Sequence, residues 1–322
     1  MGIEQRGKIA LSPEITGRRG RLVLLGLHVA GPVLRYGLEN IMNGTNIDYE
    51  PGFMNEYVQG IKDGYLPILV GNHQSHVDGI FISQPVRILT GVANEKLPEH
   101  QKINGVVLVL ASSLSTGHQG AMMKGFFDEL TPSIERRNLT PLLHTRRQDG
   151  QRYNMSTNWV NQYKDLIDAI NAGYAIAVFP EGTTTAGKTT HSIILPDGTV
   201  KTIKNPDGKR NGMQKFMDGS VKMLISAANK AGKKAMIIPV VMTGGPSVHN
   251  PDTKLPTAKA FEAGLNFGNN ELVHIRVLNP LKADEGELEK CYRERDWEGL
   301  NTVVANKIAQ HLSKLEQGVY AT

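Results

Sequence analysis

The chain has 322 residues, of which 40% are hydrophobic and 21% charged, enough apolar side chain for a real core and unlike a disordered or fibrous sequence. A net charge of +5 and a pI near 9.1 suit anionic substrates or an anionic membrane surface, and no dense Lys/Arg stripe interleaved with aromatics marks a nucleic-acid binder. The single cysteine, Cys291, excludes an internal disulfide, so a reducing, cytoplasmic setting is expected and the Asn-x-Ser/Thr triplets at Asn43, Asn138 and Asn154 read as chance matches.

Residues up to about Asn43 read as helical. The longest apolar stretch, Leu22 to Leu34, contains a His, two Gly and a Pro and falls short of the ~20 residues that a spanning helix needs. Arg18, Arg19 and Arg21 flank it on one side and Arg35 on the other. Two readings stay open for it: a core-packing helix, or a segment lying in the headgroup region of a membrane. Met54 to Asp63 follows as an amphipathic helix with Phe53, Tyr57 and Ile61 on one face, closed by Gly64. Leu66 to Val70 is a short buried strand, and Ile80-Phe81-Ile82 opens a helix. Val106 to Leu110 and Pro141 to His144 are further apolar runs. Trp159 to Asn171 reads as helix closed at Gly173, then Tyr174 to Phe179 as strand. The Asp-Gly pairs at Asp197 and Asp207 predict an inserted hairpin or flap at about 189–210. Val221 to Ala231 is helical, Met236 to Val241 a buried strand, Leu272 to Val277 a half-buried one, and Trp297 to Leu315 a closing helix.

Strands alternating with helices predict an α/β fold with a mixed, largely parallel sheet flanked by helices. Two regions are expected, an N-terminal helical segment over 1–50 and an α/β domain over 51–322 that carries the hairpin.

Two blocks carry chemistry. The first is Asn72-His73-Gln74-Ser75-His76-Val77-Asp78, directly behind a strand. A histidine in such a turn, with an aspartate five positions on in the first turn of a helix, is a general base with its orienting carboxylate. The bland alternative is two polar side chains solvating a loop. His76 adds a metal alternative through His73 and Asp78, without a convincing further set of ligands. The second block is Phe179-Pro180-Glu181-Gly182-Thr183. From Gly182 to Thr189 the chain also matches G-x-x-x-x-G-K-[ST]. A phosphate-binding loop of that kind must run into a helix, whereas Thr190 to Gly198 reads as strand and turn. The amides of that stretch and Lys188 can still contact phosphate. Arg146-Arg147, behind the Pro141–His144 run, is either a phosphate clamp or a solvated basic pair.

With both blocks in this order, the chain resembles the glycerolipid acyltransferase family, whose signature is His-x4-Asp followed by Phe-Pro-Glu-Gly-Thr. The likeness covers roughly 55–280, includes the apolar strand at Ile237-Ile238-Pro239-Val240-Val241, and in layout is closest to soluble, plastid-type glycerol-3-phosphate acyltransferases. It implies His73 as base and Asp78 as its partner. It also implies Arg146 and Arg147 on the substrate phosphate, and Glu181, Gly182 and Thr183 lining the glycerol-phosphate site. Many relatives place an Arg where this chain has Thr184, so Lys188 or Arg210 would supply that charge. The implied reaction moves a fatty acyl group from acyl-CoA or acyl-carrier protein to glycerol-3-phosphate or lysophosphatidate in phospholipid synthesis. It needs no cofactor beyond the acyl donor, and the membrane surface enters as a partner. Other acceptors, a nucleotide-binding enzyme and a non-catalytic lipid adaptor remain the rival readings.

Overall fold

The computed structural model describes residues 45–75, 78–111, 139–144, 163–164, 166–181, 190–194, 200–204, 212–245, 249–250, 255–256, 273–313 and 316–320. The first half holds β1 (Asn46–Tyr49), α1 (Phe53–Lys62), β2 (Tyr65–Gly71), α2 (Asp78–Phe81), α3 (Ser83–Lys96), β3 (Gly105–Ala111) and β4 (Leu139–His144). Next come β5 (Tyr174–Val178), β6 (Thr190–Ile194), β7 (Val200–Lys204), α4 (Ser220–Lys230) and β8 (Lys234–Thr243). The last part holds β9 (His249–Asn250), β10 (Leu255–Pro256), β11 (His274–Val277), β12 (Leu281–Lys282), α5 (Gly286–Glu294) and α6 (Trp297–Ala309).

The main sheet runs β1-β11-β8-β2-β5-β3-β4, with β12 also on β8. β8, β2, β5, β3 and β4 pair in parallel, while β11 and β12 run antiparallel to β8. The expected α/β architecture with a mixed, mostly parallel sheet is what the chain adopts. Both faces are covered, which is why β2 is buried along its whole length rather than alternating. On one face, Phe53, Tyr57 and Ile61 of α1 and Val86, Leu89 and Ala93 of α3 pack on Leu69, Ala177 and Ile238. On the other, Leu224 and Ala228 of α4 and Leu300, Val304 and Ile308 of α6 pack on Ile68, Ile176 and Ile237. Each large aliphatic or aromatic side chain so buried contributes about 1.5–3 kcal/mol relative to exposure. The two glycines predicted to close helices, Gly64 and Gly173, take positive φ (86 and 82°), as does Gly232 after α4 (71°).

Pro239 explains why a proline is tolerated inside a central strand. Its carbonyl accepts from Leu278 N at 2.9 Å, so its missing N–H faces the same neighbour. That neighbour leaves the ladder there, since β11 stops at Val277, opposite Val240, and β12 resumes at Leu281, opposite Ile237.

Three sequence expectations need adjustment. The end of the segment read as N-terminal helix, Asn46–Tyr49, is an edge strand parallel to β11. Its Ile47 and Tyr49 pack on the core while Asn46 and Asp48 do not, the period-2 pattern of a strand. The closing helix, α6, ends at Ala309, not Leu315, and is capped by Asp296, whose carboxylate accepts from Gly299 N. A helix not read from the sequence, α5, precedes it. In the stretch expected to hold an inserted hairpin, β6 pairs antiparallel with β7, and the residues between them lie outside the described ones. The stretch 1–44, with its basic-flanked apolar segment, lies outside the described residues.

Candidate active site

The parallel strands β8, β2, β5, β3 and β4 present their carboxyl ends to one edge of the sheet, the usual place for a ligand crevice in such folds. β2 lies between β5 and β8, so the Asn72–Ser75 turn leaving β2 is held from both sides. On the β8 side, the Asn72 side chain acts as a surrogate peptide group. Its Nδ2 donates to Met242 O at 2.8 Å, and its Oδ1 accepts from Met242 N at 2.7 Å. It therefore completes the sheet ladder instead of capping the turn, and frees the backbone to bend toward the edge.

Asp78 opens α2, the predicted place for a carboxylate in a first helical turn. Its Oδ2 accepts from Gln74 N at 2.6 Å and Ser75 N at 2.7 Å and lies 3.2 Å from His73 Nδ1. An ionised carboxylate only accepts, so Nδ1 carries the proton and the basic lone pair sits on Nε2. The Asp78 side chain is 1% exposed and that of His73 18%, the arrangement of a buried orienter beneath a base that solvent or substrate can reach. The Phe179 ring stacks on the imidazole at 4.8 Å between centroids and 19° between planes, a second restraint on its orientation. Two glycines make room. A Cβ on Gly71 would lie 2.9 Å from Phe179 Cε1, and one on Gly245 would lie 2.6 Å from Asp78 Oδ1.

Glu181, 4% exposed, joins the two sequence blocks. Its Oε1 accepts from His73 N and its Oε2 from Gln214 N, both at 2.7 Å. Both oxygens accept from backbone, so these contacts are those of a strut between the β2 and β5 exits. Met217 N adds a 2.9 Å hydrogen bond to Pro180 O beside it.

Arg146, Arg147, Gly182, Thr183, Thr184, Lys188, Arg210 and His76 lie outside the described residues. β4, which leads into the arginine pair, ends at the same edge three places from β2, about 14 Å at the usual strand spacing. The residues after the G-x-x-x-x-G-K-[ST] match enter β6, a strand, where a nucleotide-binding loop would open a helix. Among the described residues, no three His, Cys, Asp or Glu side chains converge to hold a metal ion. Cys291 is half-buried on α5, and burial pushes its thiol up from its ordinary value, which disfavours the nucleophilic thiolate.

Sequence reasoning missed Gln214 and Glu316. Gln214 serves through its backbone N–H, which any residue but proline supplies, and Glu316 reaches the site from 242 residues away. Neither leaves a local pattern.

No protein-family model and no curated protein matches the sequence. Among solved structures, the chain is similar to the crystal structure of the 1-acyl-sn-glycerophosphate (LPA) acyltransferase PlsC from Thermotoga maritima. The identity is 15% and the TM-score 0.36, over 91% of this chain and 95% of that one.

Proposed function

We propose that this chain is an acyltransferase that moves a fatty acyl group from a thioester donor to a hydroxyl of a glycerol-phosphate acceptor. The observation that carries it is the meeting of the two blocks. His73, oriented by Asp78, sits at the carboxyl edge of the sheet with its backbone hydrogen-bonded to Glu181, 108 residues later.

The chemistry follows from the tautomer. Nε2 of His73 takes the proton of the acceptor hydroxyl as that oxygen attacks the thioester carbonyl. The negative charge of Asp78 stabilises the imidazolium so formed. The tetrahedral intermediate collapses, the C–S bond breaks, and the sulfur leaves with the proton from Nε2. One ester forms, one thioester breaks, and His73 returns neutral. Arg146, Arg147, Gly182, Thr183 and Lys188 are proposed to hold the phosphate, with glycerol-3-phosphate or lysophosphatidate as acceptor and acyl-CoA or acyl-carrier protein as donor. The basic balance of the chain suits such anions and an anionic membrane surface at which the product is delivered. Among the described residues, no helix is long and apolar enough to cross a membrane.

The test is thiol release by purified protein given acyl-CoA or acyl-carrier protein with each acceptor in turn. Release dependent on one acceptor is expected. His73→Ala should lower turnover by about 10²–10⁴, with a melting temperature close to that of the parent. Turnover by that variant equal to the parent's would end the proposal.

A further inference from the structure

We infer that Glu316, in the C-terminal segment, is a positioning residue for His73, acting through Gln74. This rests on the role proposed for His73. Gln74 sits directly after the base, and its backbone N–H is one of the donors that fix Asp78 Oδ2. A rotation of Gln74 therefore moves both members of the pair. Its side chain is 6% exposed, and its Oε1 has no hydrogen-bond partner among the described residues. Its Nε2 donates to Glu316 Oε1 at 3.1 Å. A buried amide tethered at one end depends on that tether.

Glu316 is itself fixed. Its Oε2 accepts from Ser313 Oγ at 2.7 Å and Ser313 N at 3.2 Å, so the carboxylate presents Oε1 to Gln74 in a set direction. Its backbone carbonyl accepts from Met213 N at 2.7 Å, and Met213 O accepts from Val319 N at 3.1 Å. Tyr320 Oη accepts from Phe216 N at 3.2 Å, and the two rings meet edge to face. Glycines at both contact points let backbone lie directly on backbone. A Cβ on Gly212 would fall 2.3 Å from the Glu316 carbonyl carbon, and one on Gly318 would fall 2.1 Å from Met213 O. Gly318 also takes φ +59°, where a side chain adds strain.

The underlying stretch 212–217 is the one that holds the second block, through Gln214 N on Glu181 and Met217 N on Pro180 O. Residues 316–320 thus reach His73 by two routes, one through the Gln74 side chain and one through Gln214 and Glu181. The turn of the first block is thus clamped between the second block and residues 316–320.

The experiment compares Glu316→Ala, Glu316→Gln and Leu288→Ala with the parent. Leu288 is a buried residue of α5 that takes no part in the site and serves as a measure of general destabilisation. The readouts are kcat, KM for donor and acceptor, melting temperature, and the imidazole ¹⁵N signals of His73, assigned by their loss in His73→Ala. Glu316→Ala should lower kcat by about 10- to 10²-fold, the usual cost of a misplaced catalytic group, with both KM values within about twofold. It should also shift the His73 signals. Glu316→Gln keeps an oxygen for Gln74 Nε2 when its NH₂ turns to Ser313, where the contacts are exposed and solvent replaces the lost one, and it should recover most of the rate. Leu288→Ala should lower the melting temperature and leave kcat in place. The inference is overturned if Glu316→Ala keeps the parent's kcat and imidazole signals. It is equally overturned if Leu288→Ala, at matched loss of melting temperature, lowers kcat as much. Should the parent show no acyl transfer, the proposed function fails and the imidazole signals alone decide: a shift in Glu316→Ala sustains the positioning role, and unchanged signals remove it.

Discussion

Glu181→Gln separates a strut from a substrate contact. In the folded protein both carboxylate oxygens accept backbone N–H groups at 2.7 Å, from His73 and from Gln214, with the side chain 4% exposed. Glutamine has one accepting oxygen. Whichever way its amide is turned, one buried N–H faces an NH₂ group and loses its partner. A buried donor left unpaired costs about 1–3 kcal/mol, and the surviving bond falls from charge-assisted to neutral strength, about 1 kcal/mol more. The sum, about 2–4 kcal/mol, corresponds to a fall in melting temperature of about 3–6 °C for 322 residues, at about 2.1 cal/mol/K of unfolding entropy per residue. In one amide orientation the lost bond is the one to the turn that carries His73. The rate should therefore drop through kcat, with KM for the phosphorylated acceptor little changed. Thermal unfolding with steady-state kinetics on one preparation tests both arms. A variant as stable as the parent, with KM for the acceptor raised and kcat intact, would refute the strut and return Glu181 to the role the family resemblance implies.

Two further substitutions probe neighbouring packing and charge. Gly245→Ala puts a Cβ 2.6 Å from Asp78 Oδ1 and 3.1 Å from Ser75 Cβ. It should cost about 1–3 kcal/mol by overpacking and lower kcat as Asp78 is displaced; urea unfolding and turnover both at parent values would contradict this. His311 is held below its ordinary value by burial and then by the Arg276 charge, opposed by Glu50 and reinforced by Lys307. The native state therefore binds this proton less readily than the unfolded chain, and stability should fall as pH drops from the ordinary histidine range toward the lowered native value. His311→Asn should flatten that fall in a series of urea titrations across the window, and an unchanged slope would count against it.

The fold was legible where side chains repeat with the period of an element. Phe53, Tyr57 and Ile61 mark α1, and the apolar runs mark β2, β5 and β8 because strands buried on both faces must be continuously apolar. β1 was not legible, since an edge strand of four residues with two polar positions has too little pattern to stand out. α5 has a short stripe, Leu288, Cys291 and Tyr292, of which only Leu288 is fully buried, and the charged residues that surround it keep it from standing out. At the site, His73 and Asp78 could be paired because five residues of chain keep them together and a turn into a helix closes the gap. Asn72, by contrast, binds a strand 170 residues away, which no local spacing announces. The same limit hid Glu316, since the partner of a buried amide is set by topology rather than by spacing.

The position of β2 in the sheet has a consequence for how the site fails. β2 is flanked by β5 and β8 and buried along its length, so the His73 turn is rooted in the part of the fold least prone to fraying. Opening that root requires breaking ladders on both sides at once, which is close to unfolding the whole sheet. The amides of Leu66 and of residues 68–71 should then belong to the last exchanging cooperative unit, and His73 is not lost through a cheap partial opening. The weaker fastenings of the site lie on its periphery, in the 212–217 stretch and the C-terminal segment over it. Under mild stress His73 and Asp78 should lose their alignment through those fastenings while β2 stays in place.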